Sequence, residues 1–137
     1  MQQHMANTRV LLTYLTEHDL VAWVRHPWQP DHPQHELVKT MLPKGAGSVI
    51  TFGIQGGCEA GRIFIESVSL ASHVANVGDA KTLVMHPAST THAYVDSTAL
   101  CSEGLSDDMI RLSVGLEDVD DIIADCEQGF RAVAKQL

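Results

Sequence analysis

The strongest constraint on this chain is the run Met109-Ile110-Arg111-Leu112-Ser113-Val114, which alternates with period two. Successive side chains of a strand point to opposite faces. Ile110, Leu112 and Val114 therefore share one face, and Met109, Arg111 and Ser113 the other. The apolar face needs cover, and two helical patterns supply it. In 59–71, Ala60, Phe64, Val68 and Ala71 recur at helical spacing. From Asp118 onward, Val119, Ile122, Cys126, Phe130 and Val133 keep one helical face, widened by Ile123, with Asp118 as the N-cap. Arg111 is the anomaly. A guanidinium in mid-strand needs a carboxylate or phosphate partner wherever it is buried.

The remaining segments read as further strands and helices. An amphipathic helix over 4–18 carries the stripe Val10, Leu11, Tyr14 and Leu15 and starts almost at the first residue without a capping sequence. Strands are predicted at 21–24 and 48–54, the first closed by His26-Pro27 and a proline-rich loop, the second by Gly56-Gly57. A short helix over 35–41 stops before Pro43 and the turn at Lys44-Gly45-Ala46-Gly47. Two more apolar strands, 74–77 and 82–85, flank the turn Gly78-Asp79, and the polar stretch 93–108 reads as a mobile surface loop. The expectation is an α/β (α+β) sandwich: a central, mostly antiparallel sheet of four or five strands, with the helices of 59–71 and 118–134 on one face.

Composition narrows the function classes. At 137 residues with 45% apolar and 19% charged content, the chain suits a single globular domain. A formal net charge of −8 leaves no basic stripe for nucleic acid. Cys58, Cys101 and Cys126 are widely spaced without a CxxC pair, which argues against a disulfide framework and fits a reducing, cytoplasmic setting. No apolar run matches a membrane span, and no leader pattern is seen at the first residues. His26, His32 and His35 with Asp31 follow no established ligand spacing, and HELVK lacks the second histidine of a zinc-protease helix. A metal site is therefore not expected. Gly45-Ala46-Gly47 precedes a strand and lacks a third glycine, unlike a dinucleotide fingerprint.

Two stretches carry a resemblance. HVANVGDAKTLVMHPASTTH (73–92) and IRLSVGLEDVDDIIAD (110–125) resemble the C-terminal domain of pyridoxal-phosphate-dependent enzymes of cysteine and methionine metabolism. Asn-Val-Gly-Asp at 76–79 and PKGAGSVITFGI at 43–54 are similar to the O-acetylhomoserine sulfhydrylase branch, where the γ-lyase and cystathionine branches carry Ser-Leu-Gly. The resemblance covers nearly the whole chain but only the final third of the family's length. It implies the small C-terminal domain of a fold-type I pyridoxal-phosphate enzyme. In that reading 1–18 is part of the inter-domain helix, 19–137 is the small domain, and the large cofactor-binding domain is absent, as expected of a truncated chain.

The same resemblance assigns roles. The arginine of RLSVG binds the substrate α-carboxylate in the family, which selects Arg111; without the resemblance, a surface or structural ion pair is the commoner use of a strand arginine. Asn76 matches the small polar residue whose side chain or backbone amide helps hold that carboxylate, although asparagine is also common in turns on conformational grounds. Thr91 matches a threonine bordering the pocket, a position where a hydroxyl equally often satisfies local backbone. His86 and His92 are read as structural. The cofactor lysine has no counterpart, because Lys39, Lys44, Lys81 and Lys135 lack its Ser/Thr-rich context. The chain alone is therefore expected to be catalytically silent.

The implied whole enzyme replaces the acetate of O-acetylhomoserine with sulfide or a thiol. Its partners are an amino-acid substrate, its own large domain and further copies in a homo-oligomer. A cystathionine γ-synthase or methionine γ-lyase keeps the family and changes the branch; a free-standing binding or regulatory module keeps only the fold.

Overall fold

A computed structural model of the chain describes residues 1–91, 94 and 104–137. Helix α1 (Gln2–Glu17) leads into strand β1 (Val21–Arg25), then α2 (His35–Met41), β2 (Val49–Ile54) and α3 (Gly57–Ser67). A two-residue strand β3 (Ser72–His73), β4 (Leu83–Met85), a 3-10 turn (Pro87–Ser89), β5 (Met109–Ser113) and α4 (Val119–Ala134) follow among the described residues. The five strands lie in the order β1-β2-β5-β4-β3. Among the described residues only the β3–β4 pair is parallel, so the sheet is mostly antiparallel, as the sequence predicts.

Three helices build the core on one face of the sheet. Ile50, Phe52 and Ile54 of β2, Ile110 and Leu112 of β5, Val114 just beyond it and Val84 of β4 meet Leu11, Leu15, Phe64 and Phe130 from α1, α3 and α4. Phe52, Phe64 and Phe130 form the centre, with ring centroids 4.9 to 6.1 Å apart, the range in which aromatic pairs attract. The two helices expected to share a face do so. Asp118 caps α4, its carboxylate accepting the Asp120 N–H at 3.0 Å. Helix α2 contributes nothing to the core; none of its residues is buried.

Several boundaries differ from the sequence reading, each for a local reason. The buried side of α1 is His4, Asn7, Thr8, Leu11, Leu12 and Leu15, while Val10 faces solvent. Asn7 can be buried because its amide donates to the carbonyls of Gly115 and Glu117, and Thr8 because its hydroxyl donates to the His4 carbonyl. An apolar stripe cannot register such residues. Helix α3 starts at Gly57, after Gly56 at φ 103°, and stops four residues short of Ala71. Asp125 of α4 takes the N–H groups of Ser69, Leu70 and Ala71, so these amides point at a carboxylate instead of continuing the helix. The strand predicted at 74–77 is absent: the sheet contribution ends at His73, and Val74 and Val77 are exposed. The stretch 93–108, read as a loop, lies largely outside the described residues, as do His92 and Cys101. Among the described residues no helix is long and apolar enough to cross a membrane.

Candidate functional site

The face of the sheet opposite the core carries the polar residues of the alternation. Thr51 of β2 and Met85 of β4 are the register partners of Arg111, with Arg25 of β1 beyond Thr51. Pleating therefore places Arg25, Thr51, Arg111 and Met85 in one row across that face. In the adjacent row, the Trp23 indole lies over Gly53, where a Cβ would collide with it, and donates to the Asp108 carboxylate at 2.9 Å. The Arg25 guanidinium stands 5.5 Å from the Trp23 ring, a cation–π distance.

Arg111 is half-buried at the middle of the central strand. One terminal N–H donates to the Asn76 carbonyl at 2.9 Å. Its Nε is buried and has no partner among the described residues. A buried guanidinium N–H without an acceptor costs the full desolvation of that group, and such atoms are rare unless a ligand completes them. The Nε donor thus lacks an acceptor among the described residues, and a planar carboxylate matches two N–H vectors of a guanidinium.

The expected site residues are placed unequally. Asn76 reaches Arg111, but with its backbone carbonyl; its side-chain oxygen is occupied by the Val77 N–H at 2.9 Å. Thr91 follows the 3-10 turn and is exposed. His86, fully buried, holds this end of the site together. Its Nε2 lies 2.7 Å from the Asp107 carbonyl, which can only accept, so Nε2 carries the proton and Nδ1 accepts from Ser89 Oγ at 2.8 Å. Burial lowers its pKa from the usual 6.5, which keeps the ring neutral. His26 is likewise buried and shifted down, and its Nδ1 receives the Trp28 N–H; His32 Nδ1 receives that of Gln34. These histidines organise backbone. Sequence reasoning missed Ser113, whose hydroxyl accepts the Gly78 N–H at 3.2 Å, and Asp125; neither residue type announces a partner so distant in the chain.

The lysines do not fit a covalently held pyridoxal phosphate. All four of the chain are exposed, and Lys39 pairs with Glu36 on the surface of α2. An imine-forming lysine needs a desolvated pocket, and none of the four occupies one.

A family model for Cys/Met metabolism PLP-dependent enzymes matches residues 1–131. The chain belongs to that family. Its enzymes are pyridoxal-phosphate-dependent. The chain is similar to a sulfhydrylase-like protein of Epichloe uncinata, 46% identical over 98% of this chain and 28% of that protein. It is also similar to O-acetyl-L-homoserine sulfhydrylase 1 of Thermus thermophilus, 44% identical over 129 residues that cover 94% of this chain and 31% of that enzyme. The crystal structure of cystathionine gamma-lyase from Lactobacillus plantarum complexed with L-serine superposes with a TM-score of 0.88 at 33% identity, covering 98% of this chain and 35% of that one. The fold is therefore that of a small domain of a fold-type I pyridoxal-phosphate enzyme. The chain spans about a third of the length of the relatives it matches.

Proposed function

We propose that this chain is the substrate-carboxylate-binding domain of an O-acetylhomoserine sulfhydrylase-like enzyme, which converts O-acetylhomoserine and sulfide or a thiol to homocysteine or its thioether and acetate. The observation that carries the reading is the unpartnered Nε of Arg111, on a guanidinium already held from one side by the Asn76 carbonyl. In this reading the amino acid places its α-carboxylate on the free edge of Arg111, with Asn76 and Thr91 bordering it. Residues 1–18 belong to the inter-domain helix, 19–137 form the small domain, and the cofactor half of the site lies on a large domain elsewhere in the polypeptide. The higher identity to the sulfhydrylases, 44–46%, than to the cystathionine gamma-lyase, 33%, supports this branch.

Within the whole enzyme the domain's chemistry is orientation. Holding the carboxylate at two points fixes which bond of the α-carbon faces the cofactor, and such positioning lowers a barrier by several kcal/mol on an order-of-magnitude scale. Pyridoxal phosphate, when bound, supplies an electron sink. The deciding experiment is Arg111→Ala and Arg111→Lys in the full-length enzyme, assayed with O-acetyl-L-homoserine and sulfide. Arg111→Ala is expected to lose roughly 2–5 kcal/mol in kcat/KM, by analogy with truncated charge pairs. Arg111→Lys recovers part of it, since an ammonium cannot reproduce the planar fork. Near wild-type kcat/KM in both returns Arg111 to a structural role.

A further inference from the structure

We propose that Ser113 is a positioning residue for the Arg111 grip, acting through the turn at 76–79; the inference deepens the carboxylate-binding reading and rests on it. Ser113 sits two residues along β5 from Arg111 on the same face, about 7 Å away by strand geometry. Its backbone already pairs on both sides, in register with Val49 of β2 and Leu83 of β4, so the sheet does not need its hydroxyl. That hydroxyl, buried at 2% exposure, accepts the N–H of Gly78 at 3.2 Å. Gly78 has φ 75°, a conformation that side-chain-bearing residues avoid. Two residues earlier in the turn, the Asn76 carbonyl accepts from Arg111 at 2.9 Å.

The result is a closed loop of contacts: Ser113 holds Gly78, the turn carries Asn76, and Asn76 holds the guanidinium that stands beside Ser113. A second tie fastens the far end of the turn, where the Nε2–H of the buried His4 donates to the Asp79 carbonyl at 3.1 Å. Val74 and Val77 are exposed, so neither of them anchors the turn. The carbonyl that orients Arg111 is therefore held by two polar side chains, one on β5 and one on α1, ahead of the backbone bond from the Leu116 N–H to the Ala80 carbonyl at 2.7 Å. Loss of either tie frees the turn, and the guanidinium must then be ordered by the substrate at a cost to its binding.

The test uses the full-length holoenzyme with O-acetyl-L-homoserine and sulfide, and compares S113A, S113T, R111K and the S113A/R111K double variant. S113A is expected to raise KM for the amino acid about five- to tenfold, as one lost hydrogen bond implies, with kcat, KM for sulfide and melting temperature close to the parent's. S113T, which keeps the hydroxyl, recovers most of the loss. In the R111K background, S113A changes KM by a factor near one, because the group it positions is gone. An equal factor in both backgrounds, or a loss shared by kcat and both KM values, overturns the proposal and makes Ser113 structural. An impaired R111K with an unimpaired S113A overturns only this inference; near wild-type kcat/KM in both R111K and R111A overturns the carboxylate reading beneath it as well. If S113A does not fold, H4L removes the other tie without touching β5, and the same non-additivity with R111K decides the question.

Discussion

Asp125→Ala tests how the turn region is braced from the helical side. The Asp125 carboxylate, buried on α4, accepts N–H groups from Ser69, Leu70 and Ala71 at 2.7, 2.9 and 2.9 Å, and the Ser69 hydroxyl at 3.3 Å. It thereby ends α3 and delivers the chain to β3 and the 76–79 turn. Hydrogen bonds to a charged acceptor are each worth about 1.5–3 kcal/mol, and buried orphaned donors cost about 1–3. Ser69 is exposed and its neighbours half-buried, so water recovers part of the loss. About 3 kcal/mol remains for Asp125→Ala, which at roughly 3–4 °C per kcal/mol for a chain of this size is a fall of about 10 °C in Tm. Asp125→Asn keeps the shape but turns an NH2 towards an N–H, and should cost about half as much. Thermal and urea unfolding followed by circular dichroism measure both, and hydrogen exchange reports the three amides directly. A melt of Asp125→Ala within about 1 kcal/mol of the parent, or unchanged protection at 69–71, refutes the reasoning.

Stability should also fall with acid in the histidine range. His26 and His86 are held neutral by burial, with pKa values lowered from 6.5. Above that value both folded and unfolded rings are neutral and contribute nothing; below it the unfolded chain takes up protons that the folded chain resists, so stability is lost as pH drops. Urea midpoints at pH 7.5 and pH 5 check this, and a flat profile contradicts it. The chain by itself, mixed with pyridoxal phosphate, O-acetyl-L-homoserine and sulfide, should make no homocysteine; turnover, or a stoichiometric borohydride-trapped adduct on one of its lysines, would reveal a complete active site. Exposed Leu37, Met41 and Leu42 around α2 should drive the isolated chain to self-associate, and light scattering showing only monomer at high concentration rules that out.

The sequence alone determined those features whose signal is local or periodic. The alternation at 109–114 specified β5 and which face of it is apolar, and the helical spacing of Phe64, Phe130 and their neighbours specified the cover, because burial imposes the same period on sequence and structure. Arg111 stood out because a charged residue interrupts β-forming neighbours, and the motif around it pointed to the family. Tertiary structure decided what depends on partners far apart in the chain. Asn7 and Thr8 could be buried only once carbonyls were placed to receive them. Asp125 could end α3 only by reaching 54 to 56 residues back. Asn76 proved to offer Arg111 a carbonyl, and Ser113 proved to hold the turn that offers it. A polar residue's place is set by the geometry of one distant atom, and no periodicity records that geometry.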